Sequence, residues 1–215
     1  MSTPSFPSTI LTPITHELVI KKSRFITNVS PVTSVDEADA FISRQRTVFW
    51  DARHNCTALI VGSNADSQRS NDDGEPSGTA GIPMLEVLRH RELTDVVVVV
   101  TRYFGGVLLG AGGLVRAYSS SVSEALDQAT IVHRRLLNTY SISTFHEQAG
   151  RLEYFLRDWL GANGGVFGNP TYTHRVQFEV SISPDLEPEL NAQLASISAG
   201  ATHLTFERSA VVDSL

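Results

Sequence analysis

The chain has 215 residues, 41% of them hydrophobic, which is enough for one large or two small cores and argues against disorder as the default. A net charge of −6 speaks against a general nucleic-acid coat, and the single cysteine, Cys56, excludes an internal disulfide or a zinc site built mainly of thiolates. No run approaches the roughly 18 apolar residues that span a bilayer, and residues 1–15 lack the basic-then-apolar order of a secretory signal, so a soluble chain in a reducing cytoplasm is expected.

Residues 1–14, with Pro4, Pro7 and Pro13 among many Ser and Thr, read as a flexible lead-in. Strand character follows at 15–20 and 24–29, then a helix over 36–46 behind a Ser34 cap, with Ala38, Phe41 and Ile42 on one side. "HNCTALIVG" is a strand and 81–90 a short helix. "DVVVVVTR" is apolar on both faces and therefore an interior strand, and a longer helix covers 112–129. After "HRRLLN" the pattern restarts. "TYSISTF" alternates as a strand, and Leu152, Phe155, Leu156, Trp159 and Leu160 line one face of a helix that "GANGG" closes. A strand at 164–169, a strictly alternating one at 176–182, a helix carrying Leu186, Leu190, Leu194 and Ile197, and a last strand in "ATHLTFE" complete a βαββαβ order, that of a ferredoxin-like domain. The expected organisation is α+β, with a lead-in over 1–14, a first domain over 15–134 and a second over 135–215, joined near 131–138.

Charge is unevenly divided. Residues 1–137 hold 13 Lys and Arg against 14 Asp and Glu, a net of −1, while residues 138–215 hold 4 against 9, a net of −5. A polyanionic partner should therefore meet the first domain.

Two glycine-rich stretches there each lead into a helix. In "TRYFGGVLLGAGGLVRAY", Gly105, Gly106, Gly110, Gly112 and Gly113 follow the valine strand, flanked by Arg102 and Arg116. Such a cluster is costly in chain entropy unless the backbone must turn sharply or let something approach. Exposed amides at the helix start would bind an anion, whereas close packing around Val107, Leu108 and Leu109 would explain the same glycines structurally. In "DDGEPSGTAGIP", Gly74, Gly78 and Gly81 interleave with Ser77 and Thr79, which suit a helix cap or a phosphate oxygen, while Asp73 and Glu75 suit a turn better than a metal whose other ligands are not visible. "KKSRF" sets Lys21, Lys22 and Arg24 beside Phe25, either to neutralise phosphates or to protect a strand edge. His54 and Cys56 share a strand face, which alone is weak ground for a nucleophile–base pair. No GxSxG elbow, Walker lysine, HExxH or Cys-x-x-Cys occurs, so no catalytic residue, metal or cofactor is assigned.

Taken jointly, "KKSRF", "HNC", "DGEPSGTAG", "TRYFGG" and "LGAGGLVRAYS", in this order, resemble the IMPACT family of bacterial YigZ type. The resemblance spans roughly 15–130, and the second half agrees with the small C-terminal domain of bacterial members. It implies a first domain like domain IV of elongation factor G, of ribosomal-protein-like β-α layering, a second like domain V of that factor, and a link to translation. Eukaryotic relatives restrain a starvation-activated kinase through an added N-terminal domain, for which no room is seen before Ile14, so kinase regulation is not carried over. The matched positions of interest are Lys22, Arg24, His54, Glu75, Ser77, Gly78, Thr79, Arg102, Gly105, Gly106, Gly112, Gly113 and Arg116.

The leading expectation is a non-enzymatic factor whose first domain binds an RNA phosphate backbone or the ribosome through the glycine-rich turns and the basic strand. Neither DNA sequence specificity nor a membrane partner is expected. With Phe25, Tyr103 and Phe104 as the visible aromatic candidates, shape or backbone recognition is expected over base stacking. The alternative is an enzyme acting on a small phosphorylated metabolite or nucleotide, with Glu75 on a metal and His54 in acid–base work. Either way His54, Glu75, Arg102 and both glycine-rich turns are expected to meet on one surface.

Overall fold

The structure, a computed structural model, describes residues 6–214; residues 1–5, the beginning of the expected lead-in, and residue 215 lie outside it. Two compact units are found, Phe6–His133 and Arg134–Ser214, each of mixed α and β structure around its own core.

The first unit contains β1 (Phe6–Ile10), β2 (Ile14–Ile20), β3 (Ser23–Pro31), α1 (Val35–Val48), β4 (His54–Val61), β5 (Ser67–Asn71), α2 (Gly81–His90), β6 (Val96–Tyr103) and α3 (Ala111–Leu126). Five of its strands form one antiparallel sheet in the order β2-β3-β6-β4-β5, so the valine strand β6 sits at its centre as its doubly apolar pattern requires. Val97 and Val99 face Ala38, Phe41 and Ile42 of α1. On the other face Val96, Val98 and Val100 pack with Met84 and Leu88 of α2 and with Leu114, Tyr118 and Val122 of α3. Helix α1 starts at Ser34, whose hydroxyl accepts the Glu37 N–H, and Asp36 and Glu37 in the first turn suit the positive end of the helix dipole.

Ordered structure begins earlier than the lead-in over 1–14 implies. β1 is a strand, Ile10 is buried in the main core, Ser8 donates its N–H to the Glu92 carbonyl, and Leu11 donates to Thr130. β5 is a second departure. Its sequence, SQRSN, has no apolar member, yet it pairs with β4 from Thr57–Asn71 to Val61–Ser67 because an open strand edge offers backbone partners to any extended segment.

The second unit holds most of β7 (Ile131–Thr144), then α4 (His146–Asn163), β8 (Val166–Phe167), β9 (Thr171–Tyr172), β10 (Val176–Ile182), a 3-10 turn (Pro184–Leu186), α5 (Glu187–Ile197) and β11 (Thr205–Ser214). Its strands run β11-β7-β10-β8, the ferredoxin-like order, with β9 also on β10; the strand expected at 164–169 shrinks to two residues. Tyr140, Ile142, Val176, Phe178, Val180 and Ile182 form the inner face against Leu152, Leu156 and Trp159 of α4 and Leu190 and Leu194 of α5. Helix α4 ends at Gly164 in the left-handed region (φ 66°). Among the described residues, no helix is long and apolar enough to cross a membrane.

Candidate functional site

The sheet end where β2 turns into β3, β4 begins and β6 finishes collects the residues that the sequence singled out. β2 and β3 are joined by Lys21 and Lys22 alone, both at positive φ (46° and 67°), as in a type I′ hairpin. Such turns favour Asn-Gly, so two lysines there hold their charges at a backbone cost. Among the described residues neither side chain has a hydrogen bond or ion pair, and both residues are exposed. The loop after β6 packs directly on this turn: a Cβ on Gly105 would overlap the Lys22 carbonyl carbon, and the Gly105 N–H donates to Ser23 Oγ at 3.1 Å. Gly105 is thus required by packing, whereas Gly106 (φ 83°) has open space around it and serves the turn.

Arg102 pairs across the sheet with Phe25 on one side and His54 on the other, so the three side chains share the face that carries α2 and α3. Its guanidinium donates to Glu75 Oε1 at 2.6 Å, with only 8% and 4% of the two side chains exposed, and lies over the rings of Phe25 (5.5 Å) and Phe104 (5.7 Å). Tyr118 of α3 donates its hydroxyl to the same Glu75 oxygen at 2.8 Å. Cys56 Sγ lies 3.0 Å from the Asp72 carbonyl and 3.3 Å from the Tyr118 hydroxyl. Burial pushes the Cys56 thiol up to about 12, and it likewise raises the Tyr118 phenol. Cys56 is therefore a protonated structural group and not a nucleophile paired with His54. His54 donates Nδ1–H to the Asp73 carbonyl at 2.8 Å, an acceptor that fixes the tautomer and leaves Nε2 as the free ring edge.

The turn before α2 turns out to be occupied by its own chain. Asp72 Oδ1 accepts the N–H groups of Ala80 (3.0 Å) and Gly81 (2.8 Å), and Oδ2 accepts that of Gly78 (2.8 Å). Burial works to raise the Asp72 carboxyl, but these three donors outweigh it and hold it below the ordinary aspartate value. Thr79 donates its hydroxyl to Pro76 O at 2.6 Å, Ser77 is exposed, and Gly81 lets the Asn71 backbone pass, since a Cβ there would sit 2.7 Å from Asn71 N. These amides have no capacity left for an external anion. At the second glycine-rich turn the opposite holds. No side chain caps α3, Gly112 and Gly113 lie in its first turn, and the Arg116 guanidinium reaches back to 3.7 Å from where a Gly112 Cβ would stand. Arg116 is exposed and has no hydrogen-bond or ion-pair partner among the described residues.

Glu75 of the first turn and Phe104 of the second thus meet His54 and Arg102, while Gly78 lies in the turn before α2 and Gly113 in the first turn of α3, two helices that pack on one sheet face. Arg24 does not join them. It pairs with Tyr103 on the opposite face, its guanidinium bound to Glu17 by two hydrogen bonds (2.7 and 3.0 Å), and that pairing raises its pKa. Two residues went unsingled in the sequence: Arg53, exposed ahead of His54 and unpaired among the described residues, and Trp50, 82% exposed in the turn after α1, which Tyr103 holds by donating its hydroxyl to Asp51 at 2.7 Å. Phe104 and Leu108 are also exposed, whereas Phe25 is fully buried and unavailable for stacking. Among the described residues no cluster of acidic, His or Cys side chains is arranged to hold a metal ion.

Fold and site define a two-domain α+β protein whose chemistry-bearing residues cluster at one sheet end of the first domain. The Impact N-terminal domain matches residues 21–126, and a domain of unknown function, DUF1949, matches 146–201. The IMPACT family member YvyE of Bacillus subtilis is 46% identical over 82% of this chain and 78% of its own length; YigZ of Escherichia coli is 39% identical over 89% and 93%. A crystal structure described as that of a hypothetical protein is 36% identical, with a TM-score of 0.59 over 95% of this chain and 98% of the other. The chain belongs to the IMPACT family.

Proposed function

We propose that the first domain is a non-enzymatic, translation-associated module that binds an RNA phosphate backbone at this sheet end. The observation that carries the reading is that Lys21, Lys22, Arg53 and Arg116, exposed and without ion pairs among the described residues, surround the loop between β6 and α3. The nearby acids are already committed: Glu75 to Arg102 and Tyr118, Asp72 to backbone amides, Asp73 to Arg46 and the Asn55 N–H, and Asp51 to Tyr103. Arg102 and Arg46 neutralise Glu75 and Asp73, while Asp72 and Asp51 are bonded to neutral donors and keep their charge, so these four cations still outnumber the two remaining carboxylates locally although the chain is acidic overall. Free amides in the first turn of α3 add a partial positive charge beside Arg116. Family membership makes RNA of the translation apparatus the class to test first.

Counterion release supplies the assay. Each phosphate contact removed should lower the slope of log affinity against log salt by about 0.7 on single strands and 0.9 on duplexes. Lys22→Ala, Arg53→Ala and Arg116→Ala, measured on the full chain across a salt series, are expected to weaken binding for every RNA sequence and flatten that slope. Absence of RNA binding by the wild type at low salt would defeat the proposal. The metabolite-enzyme reading then becomes testable by thermal shift, since a nucleotide bound only to the folded state raises its Tm.

A further inference from the structure

We infer that the pocket beside Arg102 receives an unpaired base of a single-stranded RNA, with Trp50 as a second stacking platform. This rests on the RNA-binding reading and narrows it from backbone recognition to a strand whose bases are splayed out. The pocket, about 220 Å³, is lined by Arg53, His54, Arg102, Phe104 and Leu108. Its walls differ in character. Phe104 and Leu108 are 51% and 83% exposed, apolar surface left in water beside cations, while His54 offers a ring edge fixed in one tautomer by the Asp73 carbonyl. Arg102 is held in place by Glu75, and its buried Nε–H has no hydrogen-bond partner. An apolar wall, a polar edge and a positive rim together match a nucleotide: a flat ring to stack, ring nitrogens and exocyclic groups to hydrogen-bond, and a phosphate for Arg53. Trp50 is not part of the pocket wall: it lies three residues before Arg53, on the turn that Tyr103 of the opposite sheet face holds through Asp51, and offers a platform for a neighbouring base of the same strand.

Charge calls for a polyanion, and the exposed apolar side chains call for one whose base faces are accessible. A duplex presents phosphates and sugars on its outside and keeps its base faces stacked, so it would use Lys21, Lys22 and Arg116 but leave Trp50, Phe104 and Leu108 idle. A single strand uses both sets.

The test compares a short single-stranded RNA carrying 2-aminopurine, the matching duplex, and adenosine monophosphate, all with the full-length protein. The wild type should bind the single strand more tightly than the duplex and change the 2-aminopurine fluorescence on binding. Phe104→Ala and Trp50→Ala should each weaken single-strand binding by roughly 5- to 150-fold, the worth of one stacked base, while leaving duplex affinity within about twofold. Trp50→Ala should leave thermal melting unchanged because its side chain is 82% exposed, and Phe104→Trp, which keeps an aromatic ring beneath the Arg102 guanidinium, should restore binding. Equal losses on single strand and duplex, no loss on either, or failure of Phe104→Trp to restore binding would overturn the base pocket while leaving backbone binding intact. Adenosine monophosphate binding as tightly as the oligonucleotide would replace the RNA strand with a free nucleotide. A wild type that binds none of the three would overturn this inference and the reading beneath it.

Discussion

The hairpin tip offers a variant expected to change stability and binding in opposite directions. Lys21 and Lys22 occupy left-handed backbone, φ 46° and 67°, in a two-residue turn. A side-chain-bearing residue held there costs about 1–2 kcal/mol relative to right-handed backbone, less for Asn and nothing steric for Gly. The double substitution Lys21→Asn/Lys22→Gly relieves most of this, while glycine returns about 0.4–1 kcal/mol through the larger freedom of the unfolded chain. The net gain is about 1 kcal/mol, or roughly 2–4 °C in Tm for a chain of this length. The Lys22 backbone against which Gly105 packs is left in place. Binding should respond the other way, because losing two phosphate contacts lowers the salt slope on single-stranded RNA by about 1.4. Thermal melting by circular dichroism and fluorescence anisotropy between low and moderate salt read the two effects separately. A lower Tm would refute the strain argument; an unchanged slope would refute the assignment of these lysines to the interface.

Three further outcomes follow from the buried network and its surroundings. Glu75→Ala should destabilise the first domain by about 3–5 kcal/mol, since it strands the buried Arg102 charge, and calorimetry should show the loss; a change below 1 kcal/mol would mean that water reaches the pair. Cys56, protonated and buried, should resist a thiol reagent near pH 8 in the native protein and react fully in denaturant; fast native labelling would contradict its place between Tyr118 and Asp72. Asp72 has its folded pKa below its unfolded one, so the folded state binds fewer protons and the carboxylate's stabilisation is present above about pH 4 and lost as pH falls below it. Asp72→Asn should flatten that acid limb in a pH series of urea melts, and an unaltered limb would show that other carboxylates govern it.

Periodicity was legible where one face or two faces must be buried. The five valines of β6 could only be central, and the apolar spacing after residue 138 led to the ferredoxin-like order because each element there buries a single stripe. Elements held by backbone pairing alone were not legible, as β5 shows with its wholly polar side chains. In the site, chemistry-bearing residue types were visible but their partners were not. Asp72 caps α2 from eight and nine positions upstream, a tertiary arrangement with no local capping signature, and it converts an expected anion site into an internal one. Glu75, read as a turn residue or metal ligand, is instead the buried partner of Arg102. Trp50 carries no motif signature, since exposure is decided by what fails to pack against it.

The central claim is that one end of the first domain's sheet is the RNA-binding surface. Backbone amide spectra of the isotope-labelled full-length chain, recorded while a short single-stranded RNA is titrated in at low salt, test it most directly. Shifts are expected to concentrate at Lys21, Lys22, Trp50, Arg53, His54 and the Phe104–Arg116 stretch and to fade as salt is raised. Shifts confined to residues 134–214, or none anywhere, would contradict it.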